Sequence, residues 1–203
     1  MALPEKISGP NLLAVEGRDA LAFFSRFRDS LGLRDTIQVI DFGSVSELRK
    51  RILGLPAASG FSAVKALGII RDAEADPAAA FRSVRDALQR AKLPAPSAVG
   101  QMFGTRPRVG IFILPDGTSA GSLETLLLRT VAGDPVMSCI EDFFTCIQQR
   151  TGIRQANRDK ARVHAFLASR DDPGLRSGQA FAAGYWPPEH PAFEPVRDFL
   201  RGL

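Results

Sequence analysis

The sequence predicts an α/β protein built on a mostly parallel sheet, and three observations carry that class. Four short apolar segments read as strands: NLLAVEG (11–17), TIQVIDFG (36–43), SAVKALGII (62–70) and RVGIFIL (108–114). A helical segment follows each of them, long enough to cross over, which makes neighbouring strands parallel. After the fourth strand and its helix only helices remain, and no internal repeat or low-complexity tract interrupts the order. A sheet of about four strands, flanked by helices on both faces, is the expected architecture.

Each element has its own signal. The first strand ends in Glu-Gly, and residues 18–31 then place Leu21, Phe24, Phe27 and Leu31 on one helical face. VSELRKRILGL (45–55) turns its charges away from Leu48 and Ile52. DPAAAFRSVRDALQRAKL (76–93) opens with Asp76 as N-cap and Pro77 at the first helical position. PAPSAVGQMFGTRP (94–107) reads as a loop, and PDGTSAG as the turn before the helix SLETLLLRTV. PVMSCIEDFFTCIQQR (135–150) and DKARVHAFLASR (159–170) are further helices, and PAFEPVRDFLRGL closes the chain. The expected organisation is an α/β core over 1–134 with a helical extension over 135–203 packed on it as a single compact domain.

Composition is that of an ordinary soluble globular protein, with 203 residues, 45% of them hydrophobic and 24% charged. MALPEKISGP lacks the basic and apolar regions of a signal peptide, and no apolar run approaches the ~18 residues of a membrane span. A cytoplasmic location without membrane contact is therefore expected. The net charge is +4, and arginine supplies most of the 26 basic residues, so phosphate partners are permitted but not demanded. Cys139 and Cys146, seven apart on one helix, lie about 10 Å apart, too far to pair, and are expected in the core. No Cys/His cluster suggests zinc.

Function in a parallel α/β sheet collects at the carboxyl ends of the strands. Reading those ends yields Glu16, Asp41, Asp72 with Glu74, and Asp116, and Glu124 lies on the helix after the fourth strand. Asp72 and Glu74, two apart, share a face if the segment stays extended. Glu16 joins them if the first and third strands are neighbours. Carboxylates held that close repel unless a cation balances them, and Mg²⁺ or Mn²⁺ suits such oxygen donors. Blander roles compete: Asp41 as a solvated loop residue, Asp116 as part of a Pro-Asp-Gly turn, and Glu124 as a first-turn helix charge.

An apolar strand ending Glu-Gly, a later strand ending Asp-x-Glu and a downstream Gly-x-Leu-Glu resemble the Toprim fold, the metal-binding domain of topoisomerases, bacterial primases and overcoming-lysogenization-defect (OLD) nucleases. More closely, the chain is similar to a family of small stand-alone Toprim-like prokaryotic proteins. The matching segments are LLAVEGRDALAFF, VKALGIIRDAEAD, VGIFILPDGTSAGSLETLLL, KARVHAFLASR and GYWPPEHPAF. The resemblance implies a Rossmann-like core, Glu16, Asp72, Glu74 and Glu124 as metal ligands, and Lys160 beside the scissile phosphate. It implies Mg²⁺ or Mn²⁺ as cofactor, DNA or RNA as partner, and a phosphoryl-transfer activity, most simply a nuclease. In the proteins it resembles, a second Asp often follows four residues after the first glutamate, where this chain has Ala20, with Asp19 one place early. That departure leaves open a non-catalytic binding or regulatory module with a protein partner.

Two further motifs compete for a role. GTSAG (117–121) fits G-x-S-x-G, and the order Ser119, Asp142, His164 would suit a hydrolase triad, but Pro115-Asp116 separates the strand from the glycine where a nucleophile elbow turns directly. A glycine-rich helix-entry loop is the simpler account. GYWPPEHPAF holds the only Tyr and Trp and either stacks bases or clamps the last helix to the core, the second being preferred.

Overall fold

The structure, a computed structural model, describes residues 6–203; the start of the N-terminal stretch read above for a leader lies outside them. β1 (Asn11–Val15), β2 (Ile37–Asp41), β3 (Ala66–Asp72), β4 (Met102–Phe103) and β5 (Arg108–Leu114) form one sheet in the order β2-β1-β3-β5-β4. The four longer strands are parallel and β4 is antiparallel. The described residues hold eight α-helices: α1 (Gly17–Ser30), α2 (Val45–Gly54), α3 (Pro77–Arg90), α4 (Leu123–Thr130), α5 (Val136–Thr151), α6 (Arg158–Ala168), α7 (Ser177–Ala182) and α8 (Glu194–Arg201). The fold is therefore mixed α/β, and none of these helices is long and apolar enough to cross a membrane.

Side chains alternate across the sheet, and each face buries its own core. Leu13, Val15, Ile70, Phe112 and Leu114 face α1, α4, α6, α7 and α8. Leu12, Ala14, Leu67, Ile69 and Ile111 face α2 and α3. On the first face Gly68 and Gly110 leave room for what lies above. A side chain at Gly68 would meet Leu203 Cδ1 at 2.9 Å, and one at Gly110 would meet the Met102 sulfur and Phe199. The last helix thus settles on the sheet centre, and the helices beyond residue 134 share one core with β1 and α1.

Several sequence expectations need correction. The sheet has five strands, because Met102-Phe103 in the expected loop pairs with Gly110 and Val109. Two residues show no period, so only the partner strand defines them. The third strand begins at Ala66, not at residue 62, since Phe61–Ala63 form a 3₁₀ turn that buries Phe61. It runs on through Asp72, two residues past its expected end. α7 was not expected, being too short for a helical period to show. Cys139 and Cys146 are free as expected but exposed rather than buried, because α5 turns Ile140 and Phe144 inward, one turn apart.

The tail does clamp the C-terminal region. Trp186 is fully buried, lies on Phe166 with ring centroids 4.9 Å apart, and donates from Nε1 to Ser177 O at 3.2 Å. Phe193 completes an aromatic cluster with Phe23, Phe27 and Phe181. Trp186 consequently has no face left on which a base could stack.

Candidate metal centre

The cleft forms where the strand-to-helix turns meet at the carboxyl edge of the sheet. β1 passes into α1 at Glu16, the extended residue before the helix. Register does the next step: Val15 pairs with Ile70 on one side and Asp41 on the other, bringing the ends of β1, β2 and β3 side by side. Asp41 Oδ1 accepts the N–H groups of Gly17 at 2.8 Å and Gly43 at 2.5 Å. It is a brace between two turns, partly buried, and not the solvated loop residue of the sequence reading. Asp72, last in β3, accepts the Leu123 N–H at 3.0 Å and so satisfies an orphan donor in the first turn of α4. Lys160 stands in the first turn of α6, where the Asn157 side chain accepts its backbone N–H at 2.9 Å. Glu16, Asp19, Asp72, Glu124 and Lys160 line a cleft of about 320 Å³, with Gly43 and Ser44 at its β2 side.

Burial raises the Asp72 pKa to about 7, and the charges of Glu16, Glu124 and Glu74 add to the rise against the lowering effect of the Leu123 N–H. Glu16 leans on Arg71, whose Nε is 3.9 Å from Oε2. Arg71 is itself buried and donates from its guanidinium to Ala80 O at 3.3 Å. Sequence reasoning missed Arg71, because the third strand was expected to end at residue 70 and only the longer β3 includes it. Asp19 was noted only as an offset neighbour of Ala20, yet it lines the cleft.

The structure thus brings together Glu16, Asp72, Glu124 and Lys160 out of the sequence-predicted residues. Glu74 stands at the margin. Its backbone turns left-handed, with φ 54°, and its N–H and C=O pair with Gly121 at 2.9 and 2.8 Å. The extended spacing that would have pointed Asp72 and Glu74 the same way therefore ends at Asp72, and Glu74 is exposed. Asp116 is not among the residues lining the cleft. Its Oδ1 accepts from Thr118 and Ser119, and its Oδ2 pairs with Arg129 at 2.6 Å. Burial works against ionisation there, but the hydrogen bonds from Ser119 and Arg129 prevail and hold the carboxyl well below the usual range. Asp116 fills the turn role that Pro-Asp-Gly offered.

Among the described residues, no three Asp, Glu, His or Cys side chains stand close enough to hold a metal ion in this arrangement. Glu124 instead accepts the Ser122 hydroxyl at 2.8 Å, while Glu16 lies against Arg71. Ser119, Asp142 and His164 make no hydrogen bond to one another among the described residues, and the Ser119 N–H serves the Asp116 turn. GTSAG is therefore a helix-entry loop.

Two solved structures of the C-terminal region of the Xanthomonas campestris pv. campestris OLD protein, one phased with iodine and one with mercury, resemble this chain. Each is 12% identical and covers 96% of this chain and 86% of its own, with TM-scores of 0.40 and 0.36. No curated protein sequence matches. A family described as "Protein of unknown function (DUF3226)" matches residues 10–203, nearly the full length, and the chain belongs to that family.

Proposed function

We propose that this protein is a Toprim-like, divalent-metal-dependent phosphoryl-transfer protein acting on nucleic acid, most simply a nuclease. Asp72 carries the reading. It is a partly buried carboxyl at the carboxyl edge of a parallel sheet, with Glu16 and Glu124 in the same cleft and Glu74 at its margin, and their charges oppose its ionisation until a cation balances them. An all-carboxylate donor set fits Mg²⁺ or Mn²⁺, with Glu16, Asp72 and Glu124 as ligands and Glu74 supplying charge from the rim. Glu16 and Glu124 would turn from Arg71 and Ser122 to reach the ion. When bound, the ion supplies charge to a phosphate oxygen and acidifies a coordinated water.

The chain's own residues supply the rest. Lys160 sets a compact cation on the cleft wall, where it would balance charge on phosphate oxygens. The first turns of α1 and α4 and the N-cap Ser44 of α2 line the same cleft, and helix N-termini favour anions. Arg71 pairs with Glu16 at the sheet edge.

A second reading, a non-catalytic binding or regulatory module with a protein partner, draws on Ala20, which stands where the resemblance leads one to expect a carboxylate. Calorimetric titration with Mn²⁺ and Mg²⁺ of the wild type, Glu16→Ala and Asp72→Ala tests the site. Saturable binding that both substitutions abolish is the expected result, and unchanged affinity in Glu16→Ala would sink the assignment. Metal binding without cleavage of single- or double-stranded DNA or RNA would favour the module.

A further inference from the structure

The carboxylate cleft does not end at Lys160. Asp19, Glu124 and Lys160 also line a second compartment of about 390 Å³, so the two form one trough. The far part of that trough differs in chemistry. Its lining is mixed: Leu175, with the edges of the nearly fully buried Val163 and Leu167 of α6, makes an apolar strip between polar walls. Its polar residues beyond the shared three include His164 and Arg176. His164 lies one helical turn after Lys160, and Arg176 comes from the facing segment 173–177.

That facing wall is held at several points. The Tyr185 hydroxyl accepts the Asp172 N–H at 3.3 Å, and Ser177 O accepts from the buried Trp186 at 3.2 Å. Gly178, just beyond, sits so close to α1 that an added Cβ would meet the Ala22 backbone at 2.6 Å. The wall is thus tied to the tail and continues into a helix packed on α1, which carries Asp19.

An apolar strip beside Lys160 and Arg176, with the carboxylates Asp19 and Glu124 confined to the end shared with the cleft, suits one nucleoside bearing a phosphate. Its volume is at the scale of a small-molecule pocket, a few hundred Å³. We infer that this compartment, built on Val163, Leu167, Leu175, His164 and Arg176, is a subsite for one unpaired nucleotide. Base and sugar lie along the apolar strip, and the phosphate sits between Lys160 and Arg176. The substrate class is then a single strand or a frayed end, because a base can enter the compartment only when unpaired. For its substrate class the inference rests on the phosphoryl-transfer reading, but its binding step does not require the metal.

The test is a titration of the full ¹⁵N-labelled chain with thymidine 5′-monophosphate in EDTA, followed by amide shifts. Thymidine and inorganic phosphate are run alongside. Saturable shifts at Leu175, Arg176 and Ser177 are expected, with both control ligands weaker. Arg176→Ala and His164→Ala, both exposed in the parent, should each weaken binding about tenfold. Absence of saturable shifts, unchanged affinity in both variants, or phosphate binding as tightly as the nucleotide would each overturn the subsite. Nucleotide binding without any Mn²⁺ binding would remove the metal reading alone. Mn²⁺ binding without nucleotide binding would remove this inference alone.

Discussion

Asp72 shows how one residue can serve fold and chemistry at opposing cost. Its Oδ1 caps α4 through Leu123, which favours the ionised form, while burial and three carboxylates oppose it more strongly. The folded-state pKa near 7 lies above the ordinary value of 3.8. A raised carboxyl pKa contributes stability that is complete below the unfolded value and lost as pH rises through the folded one. Metal-free protein should therefore lose about 3–4 kcal/mol between pH 4 and pH 7, less whatever solvent relaxation recovers. Denaturant unfolding at several pH values checks this. Asp72→Asn, which keeps an oxygen for the Leu123 N–H, should flatten the profile and stabilise the protein at pH 7.5. A profile as steep in the variant as in the parent would place the titration elsewhere.

At the scale of elements, the α1–α7 contact decides how the trough is walled. Gly178 is buried where α7 crosses α1, and a methyl there would press on the Ala22 backbone at 2.6 Å. Backbone cannot give way as a side-chain end can, so Gly178→Ala should cost about 1–3 kcal/mol, the usual penalty of overpacking. Equilibrium unfolding in urea measures it, and a neutral result would show that α7 docks more loosely than drawn. The same contact explains why this helix escaped sequence reading. SGQAFA has six residues and no repeat of the helical period, and its form comes from the surface it packs on.

For the whole molecule, the question is whether the helices beyond residue 134 form a separate unit. Trp186 and Phe193 are fully buried in the same core as Val15, Phe23 and Phe27. Trp186→Ala should remove about 3–5 kcal/mol, as large aromatic truncations do, and lower the stability of sheet and tail together. Coincident unfolding curves from far-UV circular dichroism and from amide exchange in β1 would confirm one cooperative unit. An early tail transition, with β1 protection intact, would divide it.

Local chemistry determined a good deal of this from sequence. Apolar runs alternating with amphipathic stretches identified the four parallel strands and most helices, since burial periodicity is a local property. Asp76 was readable as an N-cap, and it accepts the Ala79 N–H at 2.9 Å. Glu16 and Asp72 were legible as strand-end carboxylates and Glu124 through the family resemblance, and all three line the cleft. Tertiary structure alone decided the rest. Whether Asp41 braces or floats, whether Asp116 reaches the cleft and whether Arg71 holds Glu16 depend on partners distant in sequence. So do β4 and α7, too short to carry a period, and the trough between α6 and segment 173–177. Burial and hydrogen bonding between remote segments are properties of the packed chain, and no window of residues contains them.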